Sequence, residues 1–177
     1  MASRIINRTF VAPLLALVFL AAAAAGWYAV QATGSTPART AAFATALTET
    51  DADIKIYKTP TCGCCSAWVE HLANNGFTVD AVNVDQEQLN SIKQQAGVTR
   101  ELASCHTAFI DGYVVEGHVP AQDIRRLVDE KPSIRGLSVP GMPVGSPGME
   151  MGDRYDPFDV VGFDQQGSTS VFSSYNQ

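Results

Sequence analysis

The sequence predicts an α/β domain in which a mixed sheet is flanked by helices. Along the middle of the chain, segments of alternating apolar and polar residues alternate with segments of helical periodicity. Two later strand-like segments are separated only by Asp111-Gly112, which is a hairpin signal. A hydrophobic fraction of 46% is enough for a buried core and excludes wholesale disorder. Strands joined through helices and followed by a hairpin give a sheet of mixed direction.

The first strand and the first helix are separated by a cysteine-rich turn. Residues 54–57 alternate between apolar and polar side chains, and Pro60 ends this strand. A helical pattern begins at Cys62 and stops at Asn75-Gly76, because glycine commonly ends a helix. The cysteines are therefore expected at the start of the helix.

The next two elements repeat the order of strand and helix. Residues 77–84 predict the second strand. Asp85 followed by Gln88 has the spacing of a capping box, and it predicts a helix that ends at Gly97.

The hairpin and a last helix complete the predicted domain. Residues 107–110 and 113–116 are the two hairpin strands, and an apolar helical pattern follows before Pro132. The resulting order of strand, helix, strand, helix, hairpin and helix resembles the thioredoxin fold. The prediction is therefore a thioredoxin-like mixed sheet flanked by helices. Residues 133–177 are rich in Gly, Pro, Ser and Met and are expected to be mostly loop.

The N-terminal residues have the composition of an export signal. Arg4 and Arg8 precede an uncharged apolar run over residues 10–30, and small residues around Ala32 offer a cleavage site. The run is also nearly long enough to span a bilayer, so an uncleaved anchor stays open as the alternative. Either reading places the domain outside the cytoplasm, in the periplasm of a Gram-negative cell. The predicted organisation is a signal or anchor, a linker, a metal-binding domain and a Met-containing tail, at residues 1–32, 33–53, 54–132 and 133–177.

The charge distribution excludes nucleic acid as a partner. The net charge is −6, and all 18 acidic residues lie at Glu49 or later. Three of the 12 basic residues precede that position, so the body of the chain is strongly acidic. Such a surface repels phosphate groups.

Three cysteines lie within four positions at the start of the first helix. Cys62 and Cys65 have the C-x-x-C spacing of a redox pair, and the helix N-terminus favours a thiolate at the capping cysteine. Cys64 adds a sulfur inside this motif. Three thiols at one helix start favour a shared chemical role over separate packing roles.

The fourth cysteine is expected to face this turn. Thioredoxin-like proteins carry a cis-proline just before the third strand, beside C-x-x-C, and His106 takes that place here, after Cys105. If Ile110 pairs with Tyr113 in the hairpin, Cys105 lies opposite His118. His106 and His118 are therefore candidate ligands or proton donors.

The four cysteines leave several chemistries open, namely two disulfides, one tetrahedral zinc site or a thiolate cluster. Neighbouring Cys64 and Cys65 do not readily chelate one ion together, because their side chains diverge. Sulfurs shared among several soft ions remove this difficulty, and thiolate and thioether donors select Cu(I). The tail adds Met142, Met149 and Met151 in a Gly/Pro-rich segment, which is expected to close over the cluster as a lid.

Four sequence blocks resemble one family, the periplasmic copper-resistance proteins of the CopG type. They are Tyr-Lys-Thr-Pro-Thr-Cys-Gly-Cys-Cys at 57–65, Ser-Cys-His-Thr-Ala at 104–108, Glu-Gly-His-Val-Pro at 116–120, and a block that runs from Gly-Met-Pro at 141–143 through Gly-Met-Glu at 148–150. The resemblance covers about residues 54–150. It implies a thioredoxin-like domain that binds copper through its cysteines, with Cu(I)/Cu(II) cycling, in copper detoxification.

The sequence thus predicts an exported copper-resistance protein that holds Cu(I) on cysteine thiolates, with one ion and several ions both open. The expected metal ligands are four cysteines supported by two histidines and one methionine, namely Cys62, Cys64, Cys65, Cys105, His106, His118 and Met149. The expected partners are copper ions and other periplasmic copper-handling proteins. The membrane is a partner only through an uncleaved N-terminal segment.

The main alternative is a thiol–disulfide oxidoreductase. In that enzyme Cys62 would attack a substrate disulfide and Cys65 would resolve the mixed disulfide. An iron–sulfur protein and a zinc store are further options, because four cysteines suffice for either.

Overall fold

The computed structural model describes residues 52–177 as an α/β domain built on a seven-stranded mixed sheet. The strands are β1 (Ile54–Lys58), β2 (Val79–Asn83), β3 (Thr107–Ile110), β4 (Tyr113–Glu116), β5 (Gly136–Ser138), β6 (Phe158–Phe163) and β7 (Thr169–Tyr175). The helices are α1 (Gly63–Asn74), α2 (Gln86–Ala96) and α3 (Ala121–Glu130). The strand order is β2-β1-β3-β4-β5-β6-β7. The α/β fold class predicted from the sequence is confirmed.

The predicted export signal or anchor at 1–32, and the linker up to residue 51, lie outside the described residues. Among residues 52–177, no helix has the length and apolar character needed to cross a membrane.

Local signals determine where the first two helices begin. Cys62 is the N-cap of α1, and its Sγ accepts a hydrogen bond from the backbone N–H of Cys65 at 3.3 Å. The side chains of Asp85 and Gln88 form the predicted capping box at the start of α2, and Gly97 ends that helix in the left-handed conformation. The cysteine-rich turn is therefore the first turn of α1.

The hairpin register agrees with the sequence prediction. Ile110 pairs with Tyr113 and Thr107 pairs with Glu116 across the antiparallel strands β3 and β4. β1 runs antiparallel to β3, with Tyr57 opposite Thr107. Residues 52–177 contain no cis peptide bond, in keeping with a histidine in place of the proline before β3.

The tail carries three strands that the sequence analysis does not predict. β5 adds to β4 in parallel, and β6 and β7 extend the sheet antiparallel to each other. β5 has only three residues, and β7 is a polar edge strand, so neither gives a clear periodic signal. Residues 139–157 form the loop that was expected, and this loop contains all three tail methionines.

Apolar side chains fill both faces of the sheet. Trp68 of α1 and Ile124 of α3 pack against Ile56 on one face, which we call the α1 face. Ala96 of α2 packs with Val114 on the opposite, α2 face. Helices therefore cover both faces, as a mixed sheet with crossover helices requires.

A buried ion pair lies on the α2 face. Lys93 Nζ donates to Glu116 Oε1 at 2.5 Å and to Thr107 Oγ1 at 3.0 Å. The same carboxylate accepts from the backbone N–H of Ser104 at 2.6 Å and from the Thr107 hydroxyl at 2.7 Å. Burial raises the pKa of Glu116, and the charge of Lys93 together with these hydrogen bonds opposes that rise. Glu116 thus fixes both ends of the turn that holds Cys105.

We expect Glu116→Ala to lower the free energy of unfolding by about 3–5 kcal/mol, because it leaves Lys93 buried without its counter-ion. The paired variant Lys93→Met/Glu116→Gln removes both charges and keeps an acceptor for Ser104, so it should lose only about 1–2 kcal/mol. Urea unfolding of the metal-free protein measures both values. A paired variant no more stable than Glu116→Ala would contradict this account.

Candidate metal centre

The structure brings all four cysteine sulfurs to one place. Cys62, Cys64 and Cys65 lie in the first turn of α1, and Cys105 reaches them from the turn before β3. The sulfur of Cys64 is 3.6 Å from that of Cys62 and 3.9 Å from that of Cys105. All four sulfurs lie within 4.8 Å of one another, so the cluster can hold a metal.

Two of these sulfurs are bonded to each other. Cys62 and Cys65 form a disulfide, whereas Cys64 and Cys105 are free thiols. The structure is therefore the oxidised state of the C-x-x-C pair. Four sulfur donors become available only after this disulfide takes up two electrons and two protons.

His118 faces Cys105 with a defined ring nitrogen. Its Nε2 lies 3.0 Å from Cys105 Sγ, and its Nδ1 lies 2.7 Å from the carbonyl oxygen of Pro147. A carbonyl only accepts, so Nδ1 carries the proton and donates to Pro147. Burial is the main cause that lowers the pKa of His118, against the opposing effects of Pro147 and Glu150. The ring is then neutral and its Nε2 carries no proton, so this atom can accept a hydrogen bond from the Cys105 thiol or bind a metal.

His106 is fully buried beside the same thiol. Its ring centroid is 4.3 Å from that of Trp68 and 5.1 Å from that of His118. Its Nδ1 is 3.7 Å from Cys105 Sγ, and its Nε2 is a buried nitrogen without a hydrogen-bond partner among residues 52–177. Burial, reinforced by His118 and Lys93, holds the pKa of His106 well below its usual value. Cys105, His106 and His118 place their ligand atoms within 4.8 Å of one another.

The Cys105 thiol is difficult to ionise in this state. Burial, and then the neighbouring Cys64, raise its pKa from 9.0 to about 11. Cys105 is therefore protonated at neutral pH until a metal displaces the proton.

The 139–157 loop packs against both sides of the centre. The Ser104 hydroxyl donates to the carbonyl of Gly141 at 2.5 Å, beside Cys105. At the other side Gly148 has φ +83°, and a Cβ there would lie 2.8 Å from the carbonyl oxygen of Cys64. Only glycine fits such a close approach.

The three loop methionines differ in exposure. Met149 directly follows Gly148 and is half-buried, whereas Met142 and Met151 are 54% and 63% exposed. Of the three, Met149 is therefore the one whose backbone lies next to the cysteine turn, and its role as a ligand stays a prediction.

Two contributors to the site were not predicted from the sequence. The Pro147 carbonyl has no side-chain signature. Glu116 is a fully buried residue at the end of β4. A charged residue at the end of an otherwise apolar strand is the signal by which it could have been found.

Comparisons with known proteins agree on one family. A family profile described as "Protein of unknown function, DUF411" matches residues 102–149. Two solved structures described as "Copper resistance protein copG", forms 2 and 1, are each 47% identical and cover 70% of this chain. They are covered over 98% and 97% of their own lengths, with TM-scores of 0.65 and 0.66. No curated protein sequence matches the chain.

The raised pKa of Cys105 predicts slow alkylation of its thiol. With the disulfide intact, the rate with iodoacetamide should rise about tenfold per pH unit from about pH 8 to about pH 11, because only the thiolate reacts. Peptide mass spectrometry measures the modified fraction. Cys64→Ser removes one cause of the rise and should shift this profile to lower pH. A plateau at or below pH 9.0, the ordinary value, would contradict the prediction.

The two buried histidines predict that the folded protein is less stable in acid. Their pKa values are lowered in the folded protein, so below about pH 6.5 the unfolded chain binds more protons than the folded one. The free energy of unfolding should therefore fall as the pH drops through this range. Urea unfolding of metal-free protein at about pH 7.5 and about pH 5 measures the slope. His106→Phe should make the slope shallower, and an unchanged slope would count against burial as the cause.

Proposed function

This chain belongs to the CopG-type copper-resistance family, and we propose on that basis that it binds Cu(I) through the thiolates of its metal centre. The donors are Cys62, Cys64, Cys65 and Cys105. The observation that carries the proposal is the meeting of four sulfurs from two distant segments within 4.8 Å. Thiolates are soft donors, and they prefer Cu(I) to harder ions.

The arrangement of the donors favours several copper ions over one. Cys64 and Cys65 are chain neighbours whose side chains diverge, so a single ion does not readily bind both sulfurs. Both sulfurs can be used when they bridge different copper ions. The neutral Nε2 of His118 and the unpartnered Nε2 of His106 are nitrogen donors at the edge of the sulfur group. Met149 adds a thioether from the loop. Cys62 and Cys65 belong to this set only in their reduced state.

A redox role follows from the same pair of cysteines. Oxidation of the Cys62 and Cys65 thiols to the disulfide releases two electrons and two protons, which reduces two Cu(II) ions to Cu(I). Reduced protein would thus convert Cu(II) and retain Cu(I) on the remaining donors. An external dithiol would restore the pair.

The proposed place of this activity is the periplasm. Its support is the export-type composition of residues 1–32, with Arg4 and Arg8 before an apolar run. Copper ions are the proposed ligand, and other periplasmic copper-handling proteins are the proposed source or recipient.

Thiol–disulfide exchange is the second candidate function. The observation in its favour is the Cys62–Cys65 disulfide at the N-terminus of α1, where the helix N–H groups stabilise a Cys62 thiolate. In that case Cys64 has no required role.

Anaerobic titration of the reduced protein with Cu(I) against a chromogenic chelator separates the two candidates. We expect more than one Cu(I) per chain, with ultraviolet thiolate-to-copper absorbance, and a loss of at least one ion in Cys64→Ser. Ser66→Ala is the matched control, because Ser66 lies in the same turn and contributes no sulfur. Rapid insulin reduction that survives Cys64→Ser, without retained copper, would establish the second candidate instead.

A further inference from the structure

The domain buries two lysines, and only one of them has a counter-ion. Lys93 on the α2 face is 9% exposed and is paired with Glu116 at 2.5 Å. Lys58 at the end of β1 is 8% exposed. The hydrogen bond of its Nζ is a long one of 3.4 Å to the Thr59 carbonyl, and within residues 52–177 it forms no ion pair with an acidic side chain.

The register of the sheet places Lys58 next to the metal centre. β1 and β3 are antiparallel with Ile56 opposite Ala108 and Tyr57 opposite Thr107, so the next position in the same register sets Lys58 opposite His106. Lys58 shares the buried α1 face with Ile54 and Ile56. His106 in turn contacts Cys105 at 3.7 Å and the ring of Trp68 in α1.

A buried ammonium group at this place is costly in the metal-free state. Removing a charge from water without a partner is unfavourable, and the N-terminus of α1 adds partial positive charge nearby. The positive charge of Lys58 also contributes to the lowered pKa of His106, in accord with their proximity. Such a group is stabilised when negative charge arrives, and thiolates are the negative charge that this centre can supply.

We propose that Lys58 is a positioning residue that acts as the counter-charge of the copper–thiolate centre. The inference rests on the proposed function, and it goes beyond the ligand set because Lys58 donates no atom to the metal. In this proposal Lys58 stabilises the centre when it holds fewer Cu(I) ions than thiolates and is therefore negatively charged.

The charge balance explains this selectivity. Each cysteine that becomes a ligand loses one proton, and each Cu(I) brings one positive charge. A first Cu(I) shared by two or three thiolates therefore leaves the centre negative, and Lys58 stabilises it. When Cu(I) and thiolates are equal in number the centre is neutral, so the cation no longer stabilises it and does not favour binding of the last ions.

Replacement of Lys58 by leucine, which removes the charge and adds no copper donor, tests the proposal in the full chain, reduced and anaerobic. In Lys58→Leu we expect the affinity for the first Cu(I) to fall about tenfold or more, whereas the affinity for the last ion should not fall. We also expect the metal-free protein to be as stable as the wild type or more stable, because an unpaired buried charge is replaced by an apolar side chain. Opposite signs of the two effects distinguish electrostatic support from structural damage.

Two further variants serve as controls. Lys58→Arg keeps the positive charge and should keep the first-ion affinity within about threefold of the wild type. Lys55 lies in the same strand and already pairs with Asp80 at 3.6 Å. Lys55→Leu removes its charge and should leave copper binding unchanged.

The possible outcomes separate this proposal from the one on which it rests. Lys58→Leu with wild-type affinity for the first Cu(I), or with affinity and metal-free stability falling together, overturns the role of Lys58 and leaves copper binding intact. An equal loss in Lys55→Leu also overturns it, because the effect is then one of general charge. A wild-type protein that binds no Cu(I) overturns the proposed function and this inference with it.

Discussion

The antiparallel pairing of β1 with β3 is the constraint on which the metal centre depends. Tyr57 lies opposite Thr107, so the end of β1 and the start of β3 meet at one edge of the sheet. The chain leaves β1 toward Cys62 and enters β3 from Cys105. A sequence separation of forty-three residues thereby becomes a cluster within 4.8 Å. Cys62 caps α1, so Cys64 and Cys65 lie in the first turn of that helix.

Groups without sulfur hold this cluster in place from two sides. From the α2 face, Glu116 binds the turn before β3 through the backbone of Ser104. From the 139–157 loop, the Pro147 carbonyl fixes which nitrogen of His118 faces Cys105. Polar groups around metal ligands commonly orient them in this way and tune their basicity. The burial that makes both histidines neutral also makes the thiol of Cys105 hard to ionise, so metal and proton compete for the same donors.

Sequence patterns predict the part of the site that depends on local signals and strand register. The Cys62 helix start, the Asp85 capping box and the pairing of Ile110 with Tyr113 are each encoded within a few residues, and the structure agrees with all three. β5 and β7 were missed because a three-residue strand and a serine-rich edge strand carry little apolar alternation. The partners of buried charges depend on tertiary contacts across faces of the sheet, which no linear pattern contains. The oxidation state of the Cys62–Cys65 pair likewise depends on surroundings that sequence spacing does not describe.

The C-terminal strands β6 and β7 affect the 139–157 loop that packs against the metal centre. The 139–157 segment leaves β5 and returns in β6, and these two strands are hydrogen-bonded neighbours, with Ser138 opposite Val161. The segment is therefore a loop anchored at both ends by paired strands, and β7 pairs with β6 at its second end. A domain shortened before Phe158 would retain every cysteine and both histidines of the centre, yet this loop would be anchored only at β5. The fold around the metal centre therefore depends on strands that contribute no donor atom.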